Sequence, residues 1–249
     1  MPTFSIITVV FNRAATIGDA LDSLYGQTHD DFEHVVQDGG STDDTLAVLN
    51  GVGDPRMRLV SERDSGIYDA INRAVARCTG DYVGLIHSDD MFANEHVLAD
   101  VADMLERTGA DALYGDLDYV SAADPGRVIR RWRAGDFRPG RLKRGWMPPH
   151  PTLFVRRSIC ERFGAYDASF RIAADYDAMV RWFSTKDFRA AYLPQTLVKM
   201  RVGGVSNRSL RDVIRKTRED YRVVKSHALG GVGVILQKNL SKLGQFFLR

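Results

Sequence analysis

Two hydrophobic periods alternate along the first hundred residues. Phe4–Val10 is a nearly continuous apolar, β-branched run with the length of a strand buried on both faces. Asn12 then stands where a helix N-cap belongs, and Ile17, Leu21 and Leu24 recur at helical spacing. Phe32–Gln37 predicts a second strand, and Ser41-Thr-Asp-Asp44 caps a helix carrying Leu46 and Leu49. Met57–Ser61 predicts a third strand, followed by a helical face of Ile67, Ile71, Ala74 and Val75. Tyr82–His87 predicts a fourth, ending in Ser88-Asp89-Asp90, with a helix from Asn94 through Leu105. Such alternation implies an α/β fold, a parallel sheet covered by helices on both faces. Ligands in such sheets bind beyond the carboxyl ends of the strands.

The pattern changes after residue 110. Asp111–Val120 and Arg127–Arg133 flank the turn Ala123-Asp124-Pro125-Gly126 and predict an antiparallel hairpin, which makes the sheet mixed though mainly parallel. Residues 134–150 contain three prolines and three glycines without periodicity and predict a long loop, a common place for a functional lid. A strand Thr152–Val155, helices Ser158–Phe163 and Ala174–Phe183, and strands Phe188–Leu193 and Leu197–Val202 follow. The last stretch is helical with a break at Gly230-Gly231. Three segments result: 1–110, 111–205, and a basic helical extension 206–249.

Composition narrows the class. The 249 residues are 44% hydrophobic and 27% charged, which excludes fibrous and disordered readings. Two cysteines, Cys78 and Cys160, are too few for a disulfide scaffold and point to a reducing compartment. Nothing resembles a signal peptide or reaches the roughly 20 apolar residues of a membrane span, so a cytoplasmic location is expected. The net charge of +2 hides two basic patches, each +7, at 127–144 and 206–249, against an acidic remainder. Nucleic acid is not an expected partner, and self-association is left open by the sequence.

Aspartates recur just past the predicted strands: Asp38, Asp64, Asp89 and Asp90. Each alone suits helix capping. Converging on one rim of the sheet, they would repel one another unless a cation or hydrogen-bond donors compensated. Asp90 is the best metal candidate, and a hard ion such as Mg²⁺ or Mn²⁺ takes one or two carboxylates plus phosphate oxygens.

Four segments carry a resemblance: Phe4-Ser-Ile-Ile-Thr-Val-Val-Phe-Asn12 wherein Phe11 precedes Asn12, Gln37-Asp-Gly-Gly-Ser-Thr-Asp-Asp-Thr45, Ser65-Gly-Ile-Tyr-Asp-Ala-Ile-Asn72 and His87-Ser-Asp-Asp90. Their order and spacing resemble inverting family-2 glycosyltransferases with a GT-A fold over residues 3–200. The resemblance implies that segment 1–110 binds a nucleotide-sugar donor and segment 111–205 binds the acceptor. It implies that Asp38 meets the nucleobase, that Val10, Asn12 and Asp64 line the nucleoside pocket, and that Asp89 lies near the ribose. By the same resemblance, Asn72 and Ser88 would join the donor set, and Asp90 would hold the metal on the diphosphate. The family often writes Asp-x-Asp where Ser88 opens the triplet here. Ala173-Ala-Asp-Tyr-Asp177 resembles the family's Glu-Asp helix start, with Ala174 in place of the Glu. Asp175 then takes the place of the catalytic base. Asp177, about 200° further round a regular helix, is the fallback.

His150, Arg144 and the rest of the basic loop are candidates to grip the diphosphate or the acceptor. Val232, Leu236, Leu240, Leu243 and Phe247 share one helical face, opposite Lys238, Lys242, Gln245 and Arg249. That profile fits either an interfacial helix on the inner face of an anionic membrane or a helix packed on protein. By resemblance, a glycan or lipid-linked acceptor is expected. A dinucleotide oxidoreductase is disfavoured because Asn12-Arg-Ala-Ala-Thr-Ile17 replaces the glycine-rich turn. A sugar-nucleotide pyrophosphorylase lacks its activation loop here, and a processive synthase lacks Gln-x-x-Arg-Trp. A non-catalytic nucleotide-sugar-binding homologue is the other alternative.

Overall fold

The computed structural model describes residues 1–202 and 210–241. Strand β1 (Phe4–Val10) shows how the layers form. Phe4, Ile6 and Val10 enter one core, while Ile7 and Val9 enter another on the opposite face. A strand buried on both faces must be apolar at both parities, which is why the run is nearly continuous. β1 lies between β2 (Phe32–Asp38) and β4 (Tyr82–Leu85), with β3 (Met57–Ser61) outside β2, and all these pairings are parallel. Helices α1 (Ala14–Tyr25) and α4 (Val97–Thr108) cover one face. Helix α3 (Ile67–Val75) covers the other, and α2 (Thr45–Gly51) follows β2.

The sheet continues through the second half of the chain in the order β3-β2-β1-β4-β8-β6-β9-β5. β8 (Phe154–Arg156) joins the halves, running antiparallel to both β4 and β6 (Ala112–Val120). β6 also carries the expected hairpin partner β7 (Val128–Trp132). One continuous strand, β9 (Ala190–Arg201), replaces the two separate strands expected there. The apparent break is Pro194, which lacks an N–H, and the β6–β9 ladder shifts register nearby between Tyr114 and Leu117. A further strand, β5 (Asp90–Phe92), pairs antiparallel with β9. Three residues are too short to carry a period, so the sequence reads them as loop. The architecture is the expected mixed α/β sheet with helices on both faces.

The loop at 134–150 contains two 3₁₀ turns, Pro139–Arg144 and His150–Thr152. Buried Asp116 anchors its start by accepting hydrogen bonds from Ala134 N (2.8 Å), Tyr192 Oη (2.8 Å) and Arg133 (2.9 Å). The Trp146 indole donates to the Ala134 carbonyl at 2.8 Å. Part of the basic patch is therefore spent on the fold, while Arg144 is exposed.

Helices α5 (Arg157–Phe163), α6 (Ala174–Phe183), α7 (Leu210–Ser226) and α8 (Val232–Ser241) contribute to the second core. α8 corrects one expectation. Lys238 is not on an exposed polar face but buried, its Nζ 2.7 Å from Asp220 of α7. Val234 and Ile235 are buried with it, and Val232, Leu236 and Leu240 point outward, each about 60% exposed. A buried partner for the ammonium decides which face docks. Leu243, Phe247, Lys242, Gln245 and Arg249 lie outside the described residues.

Candidate active site

The carboxyl ends of the parallel strands form one rim. Val10 ends β1 and is buried. Asn12, two residues on, has a positive φ of 51°. Its N–H donates to Ser41 Oγ and its Oδ1 accepts from Thr42 N, both at 2.8 Å. Asn12 thus ties the β1 loop to the β2 loop rather than capping α1, whose N-cap position is Arg13. Asp38 ends β2 with no exposure. Its carboxylate accepts hydrogen bonds from Gly40 N, from Ser41 N and Oγ, and from Ser61 Oγ. Those donors explain how a buried carboxylate is tolerated, and they let it shape the loop that bears it. Gly40 has φ +82°, a conformation open to glycine at low cost.

Asp64, beyond β3, leans onto that loop. A Cβ on Gly39 would lie 2.6 Å from Asp64 Oδ2, so a glycine there makes the approach possible. Asp64 Oδ1 also accepts from Gly66 N at 2.9 Å, just ahead of α3.

Ser88 and Asp90 are buried and Asp89 is half-buried. Burial pushes the Asp90 carboxyl well above the usual carboxylate range, the neighbouring Asp89 charge adds to this, and Arg201 opposes it. Arg201, from the end of β9, donates to the Asp89 carbonyl at 3.2 Å and pairs with Asp19. A carboxyl whose ionised form is so disfavoured can be relieved by a proton or by a cation. Among the described residues, no three His, Cys, Asp or Glu side chains gather around one point. Asp89 and Asp90 are adjacent carboxylates, a ligand chemistry that a hard divalent ion accepts.

Asp175 sits in the first turn of α6, its Oδ1 accepting from Tyr176 N at 2.7 Å. The hydroxyl oxygen of Tyr68, from α3, lies 3.4 Å from Oδ1, and its proton goes to the Ile172 carbonyl at 2.6 Å. Tyr68 stacks on Tyr166 with centroids 5.9 Å apart, and the Tyr166 hydroxyl meets His150 Nε2 at 2.9 Å. His150 in turn lies 6.1 Å from His87, ring centre to ring centre. Burial pushes the His150 imidazole down to about 4, and the Asp175 charge opposes the shift. Burial also lowers His87, which feels the opposing charges of both Asp89 and Asp175. A chain of aromatic and imidazole rings thereby links the Asp89 rim to the α6 carboxylate.

The three remaining candidates are Asn72, Asp177 and Arg144. Asn72 uses both ends of its amide on the Tyr166 backbone, at 2.7 and 2.9 Å, and so joins α3 to the segment before α6. Asp177 points away from Asp175, as the helical spacing requires, and pairs with Arg181 and with His227 at 2.8 Å. It borders a cavity of about 440 Å³ on that far side, with Arg181, Arg222 and His227. Arg144 stands exposed at the end of its 3₁₀ turn. Sequence reasoning gave no weight to His87, Tyr68 or Tyr166. The first two lie inside segments already singled out, so their placement there was the available signal. Tyr166 had none.

The family model described as Glycosyl transferase family 2 matches residues 5–169. The PGL/p-HBAD biosynthesis glycosyltransferase of Mycobacterium bovis and Mycobacterium tuberculosis is 36% identical over 212 residues, 83% of this chain and 80% of the relative. Staphylococcus aureus TarS 1–349 in complex with UDP-GlcNAc superposes with a TM-score of 0.68 at 19% identity, covering 91% of this chain and 66% of that one. Mannosyltransferase PcManGT from Pyrobaculum calidifontis, in complex with GDP-Man and Mn²⁺, gives a TM-score of 0.67 at 19% identity over 96% of this chain and 70% of that one. These two show the GT-A fold, and the family match with the mycobacterial relatives shows the lineage: the chain belongs to glycosyl transferase family 2.

Proposed function

We propose that the protein moves one sugar from a nucleoside-diphosphate sugar to a hydroxyl group of a glycan or lipid-linked acceptor, with inversion at the anomeric carbon. The observation that carries this reading is Asp175: a carboxylate of the second half set against Tyr68 and felt by His87, both from the half bearing the aspartate rim. The nucleoside would lie over the loops of Val10, Asn12, Asp38 and Asp64, with Ser88 and Asp89 beside the ribose and diphosphate. UDP-GlcNAc and GDP-Man in the structural neighbours support a donor of this class.

Asp175 would accept the proton of the acceptor hydroxyl as its oxygen attacks the anomeric carbon. The bond from that carbon to the diphosphate oxygen breaks, and its electron pair leaves with the nucleoside diphosphate. One base opposite one leaving group gives direct displacement and inversion. Mg²⁺ or Mn²⁺ held by Asp90, with Asp89 beside it, would neutralise charge on the diphosphate, and the Mn²⁺ complex of PcManGT supports such a requirement. His150, whose Nε2 meets the Tyr166 hydroxyl, would brace that ring rather than transfer a proton. The test is release of nucleoside diphosphate from UDP-glucose, UDP-GlcNAc or GDP-mannose with Mn²⁺ and alkyl glycosides as acceptors. One donor should turn over, and EDTA should stop it. No release from any of the three would count against the reading, and EDTA-insensitive turnover would remove the metal from it.

A lipid-linked acceptor would bring the enzyme to a membrane surface. Among the described residues, no helix is long and apolar enough to cross a membrane. α8 exposes Val232, Leu236 and Leu240, and α7 exposes Arg211, Arg215, Arg218, Arg222 and Lys225 without an exposed acidic residue. Apolar and basic exposure together suit an anionic lipid surface. Vesicles containing phosphatidylglycerol should pull down the protein, phosphatidylcholine vesicles should not, and a Val232→Ser/Leu236→Ser/Leu240→Ser variant should stay in solution. These changes spare the buried face of α8. Equal binding by variant and parent would refute the lipid contact.

A further inference from the structure

The N-cap position of helix α6 is Ala173, whose side chain can accept nothing, and within the first turn Asp175 itself takes the Tyr176 N–H. The N–H groups of Ala173 and of the two residues before it are taken by α7. Glu219 Oε2 accepts from Ile172 N at 2.8 Å and Ala173 N at 3.0 Å, and its Oε1 accepts from Arg171 N at 3.2 Å. The Tyr68 hydroxyl holds the carbonyl of the same Ile172. Two residues beyond this clamp stands Asp175.

The clamp is itself braced. Asp220, adjacent to Glu219, is buried and pairs at 2.7 Å with Lys238 of α8. The Lys238 ammonium lies 3.4 Å from the ring centre of Tyr176, the residue after Asp175. Consecutive acidic residues of α7 thus address both sides of the Asp175 position: Glu219 takes the backbone before it, and Asp220 fixes the lysine over the side chain after it. A negative charge ahead of a helix start is also favourable to the helix dipole.

We propose that Glu219 is a positioning residue for Asp175, setting where its carboxylate stands relative to the acceptor hydroxyl. The inference rests on the reading of Asp175 as the base. Glu219 touches no substrate; it acts through the 171–173 backbone. Loss of the clamp frees that backbone, and a displacement of about 1 Å at a reacting group can cost about 100-fold.

Glu219→Ala and Glu219→Gln would be compared with the parent, using nucleoside diphosphate release from whichever of UDP-glucose, UDP-GlcNAc or GDP-mannose turns over. Glu219→Ala should lower kcat roughly 10- to 100-fold while the donor KM stays within about twofold, because the nucleoside loops are untouched. Glu219→Gln keeps the length and one acceptor oxygen, so it should recover kcat to within roughly fivefold of the parent. Amide exchange at Ile172 and Ala173 should quicken in the alanine variant and leave β1 unchanged. The proposal is overturned if the alanine variant keeps kcat within about twofold, or if kcat and donor affinity fall together with no recovery in the glutamine variant. Should the alanine variant not fold, a glutamine variant with parental amide exchange and normal kcat supports the clamp, and one with fast exchange and normal kcat overturns it. If Asp175→Asn remains fully active, the base assignment fails; if that variant is inactive and Glu219→Ala is normal, only the positioning role fails.

Discussion

Asp175→Asn should bind donor with parental affinity and transfer sugar about 10²- to 10⁴-fold more slowly, the range lost when a positioned general base is removed. Asparagine keeps the shape and keeps an oxygen for the Tyr176 N–H. What disappears is the ability to take a proton from an alcohol. The donor-side carboxylates belong to other elements, so nucleoside diphosphate affinity, read by calorimetry, should not move. Asp177→Asn is the internal control. That carboxylate is committed to Arg181 and His227 on the far side of α6, so the change should lower stability and leave kcat near the parent value. Equal turnover by Asp175→Asn and the parent, or a large kcat loss confined to Asp177→Asn, would reverse the assignment of the two aspartates.

The separation of these two aspartates was legible in the chain because it follows from helix geometry alone. Strands β1 to β4 were legible too, because their apolar runs have the length of buried strands and alternate with helical periods. β5 was not legible, since three residues carry none, and the single strand β9 was masked by Pro194. Side-chain destinations were harder to read where the partner is remote. Asn72 lies in a segment that reads as donor-binding, yet its partner is the backbone of Tyr166, 94 residues away. Lys238 falls on the polar arc of its helix, and only the fold brings Asp220 to bury it. Glu219 gives no local sign of capping a helix that starts 45 residues earlier in the chain. Periodicity reports which face of an element is apolar. It does not report which polar group another element will deliver to that face.

Acidification should destabilise the fold well before its ordinary carboxylates titrate, through histidines that are neutral in the native state. His34 is fully buried in β2, between Tyr25 and Thr8. Thr8 Oγ1 gives its proton to the Ile86 carbonyl, so it must accept from His34 Nε2–H, which leaves Nδ1 to accept from Tyr25. Protonating Nδ1 would turn that acceptor into a second donor facing the tyrosine hydroxyl. Burial holds His34 down at about 3 and His150 at about 4, against an ordinary 6.5 in the unfolded chain. The unfolded chain therefore binds protons below 6.5 that the native state refuses, so stability present above that pH is lost as pH falls. Each such histidine costs about 1.4 kcal/mol per pH unit, or about 2 kcal/mol by pH 5. His87 is shifted in the same direction. Asp90 opposes them, because its raised pKa lets the native state take up a proton more readily than the unfolded chain. Asp90 can oppose with at most one proton, whereas His34 and His150 together account for about two, so the net is a loss. The urea midpoint should drop between pH 7.5 and pH 5, and His34→Gln should reduce the slope by about one proton. Identical midpoints at the two pH values would refute the depressed native pKa of these imidazoles.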